Sequence, residues 1–428
     1  MATRSDEKQN RRRLLILAGT LLLLLVGAWL VDAPGRWLRS YAEQELIAYN
    51  PHAALGWCQH ARQYGRDDAA TCLLYARGNL QLNMTRVATE WIELAQRRGA
   101  ATELTALYEQ IIAAQRGSQS ATAQLLSAAD AAPLPNEATE AILRGLQLSE
   151  DYSTCNAMLD ALESAGQTLP VVYYHRGRNS EVKTQLEQAV AYYQQAFELQ
   201  PNLTRAAIRA AECCKQLRDF EAAEQFLRQV AASPYADIVS IELANCLWEQ
   251  NRLAEAQQTI QTVLDSSPRA IEIVYFQVDQ FVDSDRAALV AAQIADALNN
   301  SQSTVELAER VLAYNHRNFE ARALLIKNLQ LLGRVQESQS LSVIQDQMTA
   351  NRQRCRQLRI ELEANQNDLA RQSELAELYW ITESAAEAKL MLGEILQADA
   401  AYGPALKLQE RIQLEENAGN SSANRPSS

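Results

Sequence analysis

The chain has 428 residues, of which 47% are hydrophobic and 6% aromatic, and it contains only 15 glycines and 10 prolines. The low content of glycine and proline, which form turns, and the high content of hydrophobic residues exclude an all-β sandwich, a collagen-like chain and a disordered polyampholyte. The same composition favours a large helical body. The net charge is −12: residues 1–40 hold seven basic and three acidic side chains, which leaves 33 basic and 49 acidic residues beyond them. Because an acidic body repels phosphate backbones, we expect no nucleic-acid binding.

The first strong signal is the uncharged segment Leu14–Val31, whose eighteen residues are close to the length that crosses a bilayer as a helix. The basic stretch 1–13, which ends in three arginines, precedes it directly. The cytoplasmic flank of a membrane span collects Lys and Arg. We therefore expect residues 1–13 in the cytoplasm, residues 32–49 as a juxtamembrane segment, and everything beyond Asp32 exported.

The same segment allows a second interpretation, a signal peptide that is cleaved after the small residues Val26-Gly27-Ala28. The apolar run continues past this point through Trp29, Leu30 and Val31, which a cleavage region does not need. We favour a single-pass signal anchor with an extracytoplasmic body, periplasmic in a cell envelope, and keep cleavage as the alternative.

Small residues and prolines recur at a nearly constant interval in residues 136–268. Three alanines and three prolines each repeat at a spacing of about 34 residues. They are Ala189, Ala223, Ala256, Pro201, Pro234 and Pro268. Moving back by one such interval from Ala189 places Cys155 in the alanine position. A repeated unit of this length predicts an array in which each unit packs on its neighbours.

Within one interval, Tyr173, Gly177, Ala189 and Tyr193 are followed by the closing Pro201. Aromatic and small residues at this spacing resemble the tetratricopeptide repeat, a helix–turn–helix unit of about 34 residues. The resemblance implies an all-α fold: an α-solenoid of tandem hairpins that follows one N-terminal transmembrane helix. In such a unit Gly177 lets the second helix approach at Ala189, and Pro201 ends that helix.

The pattern weakens on both sides of the central array. Residues 50–132 read as divergent helical repeats, and a proline-containing break separates them from the array at 136–268. Residues 269–416 read as degenerate repeats with a C-terminal cap, and residues 417–428 have little to bury and are expected to be disordered. The whole repeat region has room for roughly ten or eleven hairpins.

The resemblance also implies a binding groove, because the first helices of such an array line its concave face. The side chains that match groove positions are Tyr174, Arg178, Glu181, Arg205, Glu212, Lys215, Asn245 and Trp248. Trp248 and Tyr174 are the expected anchors, since aromatic side chains offer large contact area. Some family members clamp a C-terminal carboxylate with basic and Asn side chains; Asn245 fits, but Ile241 stands where the basic residue belongs, which argues against a clamp.

Four arginines crowd into the segment 352–359, and three of them, Arg352, Arg356 and Arg359, fall on one helical face. This basic patch suits an acidic partner, a lipid head group or a cell-wall polyanion. A solvated helix face balanced by Glu361 and Glu363 is the simpler interpretation.

The seven cysteines form no recognised motif, and most are expected to be small buried hydrophobes. Cys58 and Cys72 lie at equal distances from Gly65 and are the candidate disulfide. With His52 and His60 they form the one Cys/His cluster, whose spacing matches no zinc pattern. No phosphate loop, catalytic triad or metalloprotease motif is present, so the sequence predicts neither an enzyme nor a cofactor.

Taken together, the sequence predicts a membrane-tethered scaffold that binds other proteins or peptides of the cell envelope in a concave helical groove, without catalysis. Two alternatives stay open. One is an accessory subunit of an envelope enzyme or of a secretion or assembly complex. The other is a metal- or redox-active protein that uses the cluster of Cys58, His60 and Cys72.

Overall fold

The computed structural model describes residues 26–27, 35–131, 136–164, 169–282, 284–365, 367–382 and 385–423. All regular structure in these ranges is helical. The basic residues 1–13 and, apart from residues 26–27, the expected membrane span 14–31 lie outside the described residues. Within the described ranges, no helix combines the length and the apolar character needed to cross a bilayer.

The helices are numbered here in chain order. They are α1 (35–47), α2 (Pro51–Gln63), α3 (Ala69–Gln81), α4 (Thr85–Arg97), α5 (Thr102–Gln115), α6 (Gln119–Ala131), α7 (Asn136–Leu148), α8 (Tyr152–Ser164), α9 (Pro170–Val182), α10 (Leu186–Leu199), α11 (Thr204–Gln216), α12 (Phe220–Gln229), α13 (Ala236–Glu249), α14 (Leu253–Gln261), α15 (Pro268–Gln277), α16 (Arg286–Ala297), α17 (Ser301–Tyr314), α18 (Phe319–Leu331), α19 (Val335–Ala364), α20 (Leu369–Thr382), α21 (Ala385–Ala398) and α22 (Gly403–Ala423).

The chain divides into two compact units. Unit 1 consists of the described residues up to Asn251 together with the segment Arg269–Val282, and so contains α1 to α13 and nearly all of α15. Unit 2 consists of Arg252–Pro268 and the described residues from Ser284 onward, with α14 and α16 to α22. The expected repeat that contains Ala256 is therefore divided, because its first helix α13 belongs to unit 1 and its second helix α14 to unit 2.

In unit 1, helices that follow one another in the chain pack as antiparallel neighbours, most extensively α3 with α4, α9 with α10 and α10 with α11. The small residues of the repeat frame in this unit, Cys155, Ala189 and Ala223, are all fully buried. Gly177 lets the second helix α10 approach closely, since a Cβ atom there would lie 2.7 Å from the ring of Tyr193. The nearest atoms belong to this ring, one helical turn beyond Ala189.

The hairpin turns use a left-handed residue two positions after the last residue of the first helix, and this conformation lets the turn satisfy the last helical carbonyls. In the central hairpins of unit 1 these positions are neither glycine nor asparagine: they are Glu150, Thr184 and Arg218, with φ of 59°, 58° and 64°. A left-handed conformation costs L-residues about 1 to 2 kcal/mol. The tertiary packing of the hairpins therefore holds a backbone that the local sequence does not favour.

Unit 2 departs from the repeat frame. Its helix α19 has 30 residues, far longer than the second helix of a hairpin, because no glycine or proline interrupts residues 334–364. One apolar core of unit 2 joins α19, α20, α21 and α22. Helix α22 continues to Ala423 and so extends into the segment 417–428 that the sequence predicts to be a disordered tail. Residues 424–428 lie outside the described residues.

Candidate functional site

The first helices of the central hairpins, α7, α9, α11 and α13, carry a network of charged and tyrosine side chains that meets the segment Arg269–Val282, here called the α15 segment. The segment does not continue the repeat frame. Instead, Tyr275 and Asp279 of the segment contact side chains on these first helices. The face that the sequence predicts to be a groove is thus partly filled by the chain itself.

Asp279 is the centre of this network. Its carboxylate accepts hydrogen bonds from Arg144 Nη1 at 2.5 Å and from the Tyr174 hydroxyl at 2.6 Å, and it forms an ion pair with Arg178 Nη1 at 3.2 Å. The side chain is only 2% exposed. Burial alone would raise the pKa of Asp279, but the guanidinium groups of Arg144 and Arg178 hold it well below its ordinary value. The carboxylate therefore stays ionised inside unit 1.

Two further ion pairs flank Asp279. Arg205 of α11 pairs with Glu140 of α7, and its guanidinium carbon lies 4.5 Å from the ring centroid of Tyr174. Arg209 of α11 pairs with Glu181 of α9, which also accepts a hydrogen bond from the Tyr193 hydroxyl at 2.7 Å. Burial disfavours the charged form of Arg205, but the Glu140 carboxylate outweighs it and raises its pKa. The Arg209–Glu181 pair joins the adjacent first helices α11 and α9, and the Arg205–Glu140 pair joins α11 to α7, the first helix beyond α9.

The network continues onto α13 through Lys215. Its ammonium group lies 2.6 Å from the Glu212 carboxylate and also pairs with Glu242 of α13. The Tyr275 hydroxyl of the α15 segment donates to Glu242 at 2.5 Å. Burial opposes the charge of Lys215, but Glu242 and Glu212 raise its pKa above the ordinary value. The α15 segment is thus held at two points, Tyr275 and Asp279.

The structure brings six of the eight predicted groove residues into this network: Tyr174, Arg178, Glu181, Arg205, Glu212 and Lys215. Tyr174 is 1% exposed, so it is not an exposed anchor as expected; burial by Asp279 and its neighbours is the reason. Asn245 and Trp248 are half-buried on α13 and take no part in the network. Their role in a groove stays a prediction.

Sequence reasoning missed Asp279, Arg144, Arg209, Glu242 and Tyr275. One signal for Arg144 was present, because it stands one repeat interval before Arg178 and so occupies the equivalent position of the preceding unit. Asp279 had no such signal, since it follows the point at which the repeat frame ends.

The Cys/His cluster in α2 and α3 forms no combined site. Cys58 and Cys72 are both fully buried free thiols, so the candidate disulfide is not formed in this structure. Burial, together with the nearby Cys72 thiol, raises the pKa of Cys58 to about 12. His52 packs its ring edge against Tyr235 at 5.2 Å, and His60 hydrogen-bonds Gln63. Among the described residues, no three His, Cys, Asp or Glu side chains come close enough to hold a metal ion.

The three arginines of the predicted basic patch have different surroundings on α19. The guanidinium of Arg352 lies 4.6 Å from the ring centroid of Phe319, and Arg359 donates to the Tyr379 hydroxyl at 2.7 Å. Arg356 is exposed. Two of the three therefore make specific aromatic contacts within unit 2, which a purely solvated helix face does not require.

These features define a class of protein: a helical repeat protein whose first helices in unit 1 contact a segment of the same chain. The family comparison agrees, since residues 183–234, which run through α10 and α12, match the model described as "Tetratricopeptide repeat". Residues 183–234 thus match a tetratricopeptide repeat, and the resemblance seen in the sequence is confirmed. A comparison with curated proteins finds no match.

Solved structures similar to this chain include the Cut9–Hcn1 hetero-tetramer of the APC/C, at 12% identity and a TM-score of 0.37, covering 90% of this chain and 86% of that one. A tetratricopeptide repeat protein from Parabacteroides merdae is 13% identical, with a TM-score of 0.36 over 61% of this chain and 98% of that one. YrrB, described as a TPR protein with an unusual peptide-binding site, is 14% identical, with a TM-score of 0.29 over 51% and 97%. Similarity at this level says nothing about what the chain binds.

Proposed function

We propose that the protein is a membrane-tethered scaffold that binds a segment of another envelope protein along the first helices of unit 1, without catalysing a reaction. The observation that carries this proposal is the α15 segment itself. Side chains from α7, α9 and α13 already hold a helical peptide and the carboxylate that follows it, through Asp279 and Tyr275. A face that binds a segment in this way has the donors and acceptors that recognition of a partner segment needs.

The partner segment docks on α13, the helix whose Glu242 also accepts a hydrogen bond from Tyr275 of the α15 segment. Trp248 and Asn245 on α13 are half-buried and outside the charge network. A large aromatic side chain with a polar neighbour is typical of the anchor positions of protein interfaces. The basic and apolar residues 1–31 support the tether, which would raise the local concentration of partners in the same membrane.

Photo-crosslinking of the full chain in intact membranes tests the docking face. A photoreactive phenylalanine analogue at Trp248 should give a discrete adduct with one protein. The same analogue at Leu199, which is 42% exposed on the second helix α10, is the control and should give none. Equal adducts from both positions, or no adduct from Trp248, would contradict the proposal.

The tether and its orientation need a separate test. Alkaline extraction should leave the full chain in the membrane fraction, and deletion of residues 14–31 should release it. A reporter that is active only in the cytoplasm, fused after Ser428, should be inactive. A reporter that is fully active would place the repeats on the cytoplasmic side and would overturn the envelope assignment.

A further inference from the structure

Buried arginines in this protein generally have a carboxylate partner. In unit 1, Arg144 pairs with Asp279, Arg205 with Glu140 and Arg209 with Glu181. Such pairing is expected, because a cation taken out of water loses its hydration and needs a nearby anion to replace it. A buried arginine without an anion therefore requires an explanation.

Arg322 on α18 of unit 2 is such an arginine. The residue is only 6% exposed, and its guanidinium contacts the Met348 sulfur and donates to the His316 carbonyl oxygen, both neutral groups. In the part of the chain that the structure describes, no carboxylate forms an ion pair with Arg322. Burial, aided by the positive charge of Arg352, lowers the pKa of Arg322. Unit 2 thus holds a cation at a site that disfavours it.

Arg322 lines a cavity of about 560 Å³, here called the arginine pocket. The other polar groups in its wall include Arg317 and Asn351, and its apolar wall includes Val343, Ile344 and Trp380. Val343 and Ile344 are 70% and 48% exposed, so the apolar wall is open to solvent. The volume is within the range of pockets that bind small ligands or a few side chains of a peptide.

We propose that the arginine pocket binds an acidic segment of a partner protein, in which a carboxylate side chain lies next to a large apolar one. The carboxylate pairs with Arg322 and supplies the anion that this arginine lacks. The apolar neighbour covers Val343 and Ile344. This assignment rests on the proposed role in protein binding but uses a different surface, in unit 2.

The charge of the whole chain favours a peptide over an anionic membrane as the source of the carboxylate. Beyond residue 40 the chain has 33 basic and 49 acidic residues, so an extended anionic bilayer would be repelled. A single carboxylate that enters a pocket meets mainly the local guanidinium groups, which bind carboxylates with strong, directed hydrogen bonds.

Fluorescence anisotropy on the full chain in detergent tests the pocket. The probe is a labelled twelve-residue peptide of alternating Glu and Leu, and the control peptide has Gln in place of every Glu. We expect saturable binding of the Glu peptide and at least tenfold weaker binding of the Gln peptide. Equal binding of the two peptides would show that only the apolar wall matters and would overturn the proposal.

The Arg322→Met variant isolates the arginine. It should lower affinity for the Glu peptide at least tenfold while leaving the thermal midpoint unchanged or higher, because it removes a buried cation that has no anion. Arg86→Met makes the same charge change at a side chain 89% exposed on α4, and it should change affinity less than twofold. A lower midpoint for Arg322→Met with unchanged peptide binding would assign Arg322 a structural role and overturn the proposal.

Two further arms identify the source of the carboxylate. Vesicles of phosphatidylglycerol and phosphatidylcholine should not compete with the peptide; binding of vesicles in place of the peptide would overturn the proposal. The double variant Glu415→Gln, Glu416→Gln should bind the peptide as the parent does. If the double variant binds the peptide and the parent does not, the chain's own carboxylates occupy the pocket, and the proposal would be overturned. Loss of peptide binding in Arg322→Met with an unchanged Trp248 adduct separates this site from the groove of unit 1.

Discussion

Replacing Asp279 by Asn tests the charge network of unit 1 most severely. Asn has nearly the same size and can still accept the hydrogen bond from Tyr174, but it carries no charge. Arg144 and Arg178 would then lie inside unit 1 without the carboxylate that they share. The substitution therefore removes an anion and leaves the cations in place, which is the more damaging way to break a buried pair.

The expected loss is large. Removing one partner of a buried ion pair costs about 3 to 5 kcal/mol, and the hydrogen bonds that Asn retains place Asp279→Asn near the lower limit, about 3 kcal/mol. The control is Asp160→Asn, because Asp160 pairs with Arg176 but its side chain is 66% exposed. Solvent screens that pair, so the expected loss is below about 1 kcal/mol.

Hydrogen exchange read by mass spectrometry measures the effect locally. If opening of unit 1 becomes about 3 kcal/mol easier, amides of α9 and α11 should exchange roughly 100 times faster in Asp279→Asn. Peptides of α20 and α21 in unit 2 provide an internal reference. Adding Arg144→Met to Asp279→Asn should restore part of the protection, since it removes one of the unpaired cations.

The result that would refute this reasoning is a small effect. Asp160→Asn should accelerate exchange in α9 by less than about threefold. If Asp279→Asn gives an acceleration equally small, then the Asp279 carboxylate does not hold the α15 segment in place. Failure of Arg144→Met to restore protection would likewise show that the loss does not come from an unpaired charge.

Three further predictions concern stability. Gly145→Ala would place a Cβ atom 2.9 Å from the backbone oxygen of Ala114, so the free energy of unfolding of unit 1, measured by urea denaturation, should fall by about 1 to 3 kcal/mol. Gly56→Ala is the control: the new atom has open space around it, and the free energy of unfolding should rise by up to about 1 kcal/mol. Thr184→Gly should raise the thermal midpoint in calorimetry, because Thr184 has φ of 58° and a glycine relieves about 1 kcal/mol of strain; an unchanged or lower midpoint would contradict this. The pKa of Asp279 in the folded chain lies below its unfolded value of about 3.9, so the stability that the carboxylate contributes is present above that value and is lost as the pH falls through the folded pKa. The difference in urea midpoint between the parent and Asp279→Asn should therefore shrink below about pH 4. A difference that stays constant with pH would contradict this prediction.

The repeated hairpins could be predicted because their signals are local. Small residues that recur once in each unit, such as Ala189 and Ala223, report a packing contact that the unit makes with its neighbour. The frame also indicated side chains of α9 and α11 that the structure places in the charge network, such as Tyr174 and Arg205. Such periodic information is sufficient for the architecture of the central helices.

The contents of the groove could not be predicted in this way. Asp279 reaches Tyr174 across 105 residues and Arg144 across 135, and no repeat or motif connects positions so far apart. The length of α19 could not be predicted either, because a local period does not describe residues 269–416, which read only as degenerate repeats.

The central claim is that the first helices of unit 1 recognise a helical segment followed by a carboxylate. The most direct measurement adds a labelled peptide of residues 268–282 to the Asp279→Asn chain, in which the tethered segment is weakened, and follows anisotropy. We expect saturable binding to this variant, little binding to the parent, whose own segment competes at high effective concentration, and at least tenfold weaker binding of a peptide with Asn at position 279. No binding to the variant, or equal binding of the two peptides, would contradict the claim.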